Sequence, residues 1–132
     1  MDRAVRTVQV AHLALLLAML ALSAWAWSQL PADARIPTHW NLDGVVDDTS
    51  GKAVGLLFVP GISLALLALF TALPALEPRR RHLEASGPAY RTIWGGTALM
   101  MAALHGTLVL AALGHDVRVD RAVPVLIGGL FL

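Results

Sequence analysis

Apolar residues fill three long stretches of the chain, and polar residues collect between them. Val8 to Trp27 (VQVAHLALLLAMLALSAWAW), Val54 to Leu76 (VGLLFVPGISLALLALFTALPAL) and Ile93 to Leu113 (IWGGTALMMAALHGTLVLAAL) hold no formally charged side chain. A helix rising about 1.5 Å per residue needs about 20 apolar residues to cross about 30 Å of hydrocarbon, and each stretch meets that length. Only a helix or a closed barrel satisfies its backbone inside lipid, and these runs lack the period-2 alternation of barrel strands. The pattern predicts an all-α integral membrane protein with three transmembrane helices. A fourth apolar run, Ala122 to Leu132 (AVPVLIGGLFL), is too short to span and ends without a polar flank. It reads as a truncated fourth helix, the alternative being a segment that stays in one leaflet. The first stretch has a rival reading as a signal peptide, with Arg3 and Arg6 as its basic region and Ala24-Trp25-Ala26 as a cleavage site. The length of the apolar run and the two tryptophans at the cut favour a retained helix.

Composition supports the membrane reading. The chain of 132 residues is 57% hydrophobic and only 14% charged, with a mean hydropathy of +0.66. A soluble domain is nearer half apolar and a quarter charged. The net charge of +1 is too small to suggest nucleic-acid binding through phosphates. Cysteine is absent, which excludes a disulfide framework and a thiolate metal site.

The organisation expected is a two-helix membrane domain over residues 1–76 with a loop at 28–53, a basic loop at 77–92, and helix 3 with the start of helix 4 over 93–132. Lys and Arg set the orientation. Arg3, Arg6, Arg79, Arg80, Arg81 and Arg91 lie on one side, against Arg35, Lys52, Arg118 and Arg121 on the other. The prediction is a multi-pass plasma-membrane protein with a cytoplasmic N-terminus and an extracytoplasmic first loop.

That loop carries PTHWNLDGVVDDTSGK, from Pro37 to Lys52. Ile36, Thr38 and Trp40 alternate with Pro37, His39 and Asn41, so its entry is extended. Asn41-Leu42-Asp43-Gly44 suits a turn, since Asn and Asp cap their own backbone and Gly accepts positive φ. Val45-Val46 returns as a short strand, Asp47 to Gly51 reads as a second turn, and Lys52 sits just before helix 2, which makes a small hairpin on the membrane surface. His39, Asp43, Asp47 and Asp48 are metal-ligand types, but their spacing fits neither a zinc clamp nor a calcium loop. Ser50, His39 and Asp43 are the residue types of a hydrolase without its spacing. No enzyme, metal site or cofactor is expected.

In the helices, His105 is the one strongly polar side chain deep in a span, on the face of Ala98 and Ala102, with Gly106 four positions after Ala102. Small residues at such spacing let helices approach closely, and an intramembrane His is either a functional group or a hydrogen bond across the bundle. His12, one turn into helix 1, is expected at the interface. Trp25, Trp27, Trp40 and Trp94 are expected as interface anchors, and Pro60-Gly61 as a kink. The Arg79-Arg80-Arg81 cluster reads as a topology signal rather than a lipid headgroup site.

The loop also resembles a known family. Ile36, Pro37, His39, Trp40, Asn41, Gly44, Asp47, Gly51 and Lys52 look like the signature of the SdpI-type bacterial immunity proteins, which share an N-terminal two-helix domain with membrane proteins of unknown function. EASGPAYRTIW, with Ser86, Tyr90 and Arg91, is similar to that family's second cytoplasmic stretch, and LGHDVRVDRAVPVLIGGLFL to its entry into a fourth span. Asp48-Thr49 departs from the pattern, and the family's polar segment after helix 4 is missing. The resemblance implies protection against a secreted peptide toxin, met by Pro37, His39, Trp40, Asn41, Gly44, Asp47 and Lys52, and relay to a cytoplasmic repressor through the basic loop of Arg79, Arg80, Arg81 and Arg91. The alternatives are a structural or accessory membrane protein with the hairpin as a cap, and a small-ligand receptor or transporter component using His105.

Overall fold

The computed structural model of the chain describes residues 3–76, 87–115 and 128–129. Three helices, α1 (Arg3–Gln29), α2 (Lys52–Leu76) and α3 (Gly87–Ala112), are each long and apolar enough to cross a membrane. Between α1 and α2 lie two short strands, β1 (Arg35–Trp40) and β2 (Val46–Gly51), paired antiparallel; Asp47 to Gly51, expected as a second turn, are strand residues because their backbone pairs with β1 as far as Arg35, and α2 begins directly at Lys52. The chain is thus mostly helical with a two-stranded sheet. The run from Ala122 and the cluster Arg79-Arg80-Arg81, with Ser86, lie outside the described residues, save for a helical pair at 128–129.

Local chemistry explains the boundaries. Pro31 disfavours helical geometry in the residue before it, which stops α1; a turn follows, closed by Ala34 N–H donating to Pro31 O at 3.1 Å. Pro88 sits in the first turn of α3, where its missing N–H is harmless. The helix therefore begins at Gly87, and Arg91, expected in a basic loop, is instead a helical residue. At the far end Gly114 takes φ 93°, with His115 N–H donating to Leu110 O and Gly114 N–H to Ala111 O. That is a Schellman cap, which requires the left-handed glycine.

The helices run up, down, up. Residues 12 and 23 of α1 meet 94 and 105 of α3, so α1 and α3 are parallel and in constant register. Residues 9, 12 and 23 of α1 meet 71, 63 and 56 of α2, so that pair is antiparallel. Many large apolar side chains, among them Val10, Leu13, Leu17, Leu57, Phe58, Leu64 and Leu99, point outward, while His12, Ser23, Ser63 and His105 are buried. Polar groups within and apolar groups without is the arrangement lipid favours, because interhelical hydrogen bonds and packing, not hydrophobic burial, hold membrane helices together.

The hairpin closes one end of the bundle. Ile36, fully buried, joins Met19, Ala26, Leu56, Val59, Leu108 and Val109 in one apolar cluster, with Trp40 packed against it. Gly55 makes this possible: a Cβ there would fall 2.6 Å from Ile36 Cγ1 and nearer still to its Cβ. Gly106, expected to mediate close helix approach, faces open space instead.

Candidate functional site

The hairpin has two sides with different tasks. Its inner side is Ile36 and Trp40 against the bundle. Lys52, the first residue of α2, fastens the junction, donating from Nζ to Leu30 O at 2.8 Å while lying 4.2 Å over the Trp27 ring. A lysine at a helix N-terminus opposes the helix dipole, and these two contacts account for it here. The turn is built by Asn41, whose Oδ1 accepts from the N–H groups of Asp43 and Val45, each at 3.0 Å. Gly44 at φ 78° completes it, and Asn41 N–H donates to Val45 O at 2.9 Å.

The outer side is polar and apolar together. His39 Nδ1 meets Asp47 Oδ1 at 2.6 Å with both side chains well exposed. Arg35 donates from Nε to Thr49 Oγ1 and from Nη2 to Thr49 O. Leu42 is wholly exposed at the tip, with Val45 beside it. Irregular register either side of His39 lets its ring reach Asp47 although its backbone partner is Asp48. Of the residues singled out in the sequence, His39 and Asp47 are joined, Asn41 and Gly44 form the turn, Trp40 and Lys52 face the bundle, and Pro37 pairs with Thr49 in the ladder. Ser50 lies opposite Ile36, away from His39. Among the described residues, no three His, Asp or Glu side chains converge as metal ligands.

Two polar clusters sit inside the bundle. In one, Trp94 Nε1–H donates to His12 Nδ1 at 2.9 Å, so the neutral ring carries its proton on Nε2 and donates it to Ser63 Oγ, also at 2.9 Å. His12 is buried within the bundle, and Trp94 is a fully buried linchpin, not a side chain exposed to lipid as an interface anchor would be. Phe70 stacks on Trp94 at 5.4 Å, and Tyr90 meets both rings edge-on. In the other cluster, Ser23 Oγ donates to Leu56 O at 2.7 Å and contacts His105 Nε2 at 2.7 Å. His12 and Ser23, like Trp94 and His105, stand eleven positions apart, three helical turns, so both clusters line the same seam. Ser23, Ser63 and Gly55 escaped the sequence reading, since a lone Ser or Gly in an apolar run carries no signal; the equal spacing of 12–23 and 94–105 was the clue available.

Residues 14–64 match the family model described as a domain of unknown function (DUF1648). The match takes in most of α1, the whole hairpin and the first half of α2, which is the two-helix unit that the cap ties together. No curated protein matches the chain, and no solved structure does.

Proposed function

We propose that the chain is a non-enzymatic recognition module of the membrane, in which the helix bundle holds a rigid hairpin against a peptide at the membrane surface. The observation that carries this reading is the division of the hairpin. Ile36 and Trp40 are committed to the bundle, while His39, Leu42, Asp43, Val45 and Asp47 are exposed and lie outside its apolar cluster. An outer face of mixed charge with apolar residues at its tip suits an amphipathic peptide. The resemblance to SdpI-type immunity proteins makes that peptide a secreted toxin, with the hairpin outside the plasma membrane and the N-terminus and Arg79-Arg80-Arg81 inside, available to a cytoplasmic repressor.

A transport role is less well supported. The His12–Ser63–Trp94 cluster and the Ser23–His105 cluster are separated by buried Leu16, Met19, Val59 and Ala98, and among the described residues no fully buried polar side chain lies between them. A structural cap is the second reading, favoured by the Ile36–Gly55 fit. The two are separated by replacing His39 and Asp47 with Ala, measuring membrane-resident protein and thermal stability, and challenging the cells with a membrane-active peptide toxin. Recognition predicts protection by the parent chain that the variant loses at equal abundance and stability. No protection by the parent sinks recognition, and a loss of stability with no change in survival leaves the cap.

A further inference from the structure

Helix α2 contains two prolines, Pro60 and Pro74. A proline has no backbone N–H, so each leaves the carbonyl four residues earlier without its helical donor. Those carbonyls belong to Leu56 and Phe70. Each receives a side-chain hydroxyl from a neighbouring helix instead: Ser23 of α1 donates to Leu56 O at 2.7 Å, and Tyr90 of α3 donates to Phe70 O. In lipid no water replaces a missing donor, so side chains of neighbouring helices take over that role.

The Pro60 site has a second layer. Ser23 has one proton, and it goes to Leu56. Its contact with His105 Nε2 must then be the imidazole donating to the hydroxyl oxygen. This puts the ring proton on Nε2 and leaves Nδ1 as a bare acceptor. Nδ1 is buried without a hydrogen-bond partner among the described residues. In the opposite tautomer Ser23 would donate to the ring, and the Leu56 carbonyl would lose its donor. That loss carries the desolvation penalty of an unsatisfied buried carbonyl, which holds Ser23 in its present direction.

We propose that Pro60 is a latched hinge, with the Ser23 hydroxyl as the latch and His105 as the residue that positions it. The segment of α2 before Pro60 carries Lys52, Gly55 and Leu56, the residues that fasten the hairpin to the bundle. Bending at Pro60 therefore moves the hairpin as well. A Cβ on Gly61 would meet nothing within 4 Å, so there is room beside the hinge.

The test uses the whole chain in lipid nanodiscs. Because the sequence has no cysteine, Val54→Cys and Leu69→Cys, both at exposed positions of α2 on either side of Pro60, give a clean pair of spin labels. Their distance distribution is measured in the parent, Ser23→Ala, Pro60→Ala, the double variant and His105→Phe. Ser23→Ala and His105→Phe should shift or broaden the distribution, Ser23→Thr should restore it, and Pro60→Ala, which gives Leu56 its helical donor back, should make both silent. Interhelical hydrogen bonds in membranes weaken the unfolding constant about three-fold on average and about eighteen-fold at most when removed. That loss should appear for Ser23→Ala in the parent and vanish in Pro60→Ala. An unchanged distribution in Ser23→Ala, or an equal effect of Ser23→Ala with and without Pro60, overturns the hinge. If Ser23→Ala folds only when combined with Pro60→Ala, the latch stands; if neither folds, it falls.

Discussion

The contact between Gly55 and Ile36 offers the sharpest perturbation of the hairpin. In Gly55→Ala the new Cβ would lie 2.6 Å and 2.7 Å from Ile36 Cγ1 and Cγ2. Carbon atoms settle at about 3.5–4.0 Å, so β1 must retreat by about 1 Å or more. Ile36 is fully buried, and losing that burial removes about 1.5–3 kcal/mol. Alanine in place of glycine returns about 0.8–1 kcal/mol of helix propensity. The balance is a net loss of about 1–2 kcal/mol, a factor of about 5–30 in the folded ratio. Reversible unfolding in mixed micelles reads that loss, and hydrogen exchange of the β1–β2 amides shows whether the hairpin detaches first. Since the nearest Ile36 atom is its own Cβ, adding Ile36→Ala should not relieve the clash, whereas Ile36→Gly should. A Gly55→Ala protein as stable as the parent, with unchanged hairpin protection, would refute this account of how the cap is seated.

Other changes follow from the same geometry. Trp94→Phe keeps the aromatic packing but removes the donor to His12 Nδ1, and chemical unfolding should show a loss of about 1 kcal/mol. His12→Ala leaves both Trp94 Nε1–H and Ser63 unpaired and should lose more, about 2–4 kcal/mol with the cavity included. Asn41→Ala removes the acceptor of two backbone N–H groups at the turn, so hairpin amides should exchange about five-fold faster or more while α3 amides stay protected. Asp47→Asn breaks only an exposed pair, and its effect on stability should stay within about 1 kcal/mol by the same unfolding assay.

Much of the architecture was legible because the bilayer leaves little choice. Uncharged runs in Val8–Trp27, Val54–Leu76 and Ile93–Leu113 can satisfy their backbone only as helices; the first two lie within helices of the structure, and the third runs one residue past the end of α3. The hairpin was readable for a local reason as well. Asn41 and Gly44 carry their turn chemistry within a few residues of sequence, and the structure uses both as the spacing predicts. His105 stood out as a polar group within an apolar run.

What sequence alone did not show is which side chains meet across the bundle. Trp94 read as an anchor because an indole near a span end sits well at the headgroups, and only the parallel register of α1 and α3 brings it to His12. Ser23 and Ser63 became meaningful only once Pro60 and the two histidines were opposite them. Gly55 gained its role from Ile36, nearly twenty residues earlier in the chain. Local propensity and solvent set the elements of this protein; the pairing of donors with orphaned acceptors, and of a glycine with the side chain that fills its space, belongs to the tertiary structure, because each partner lies on a different element.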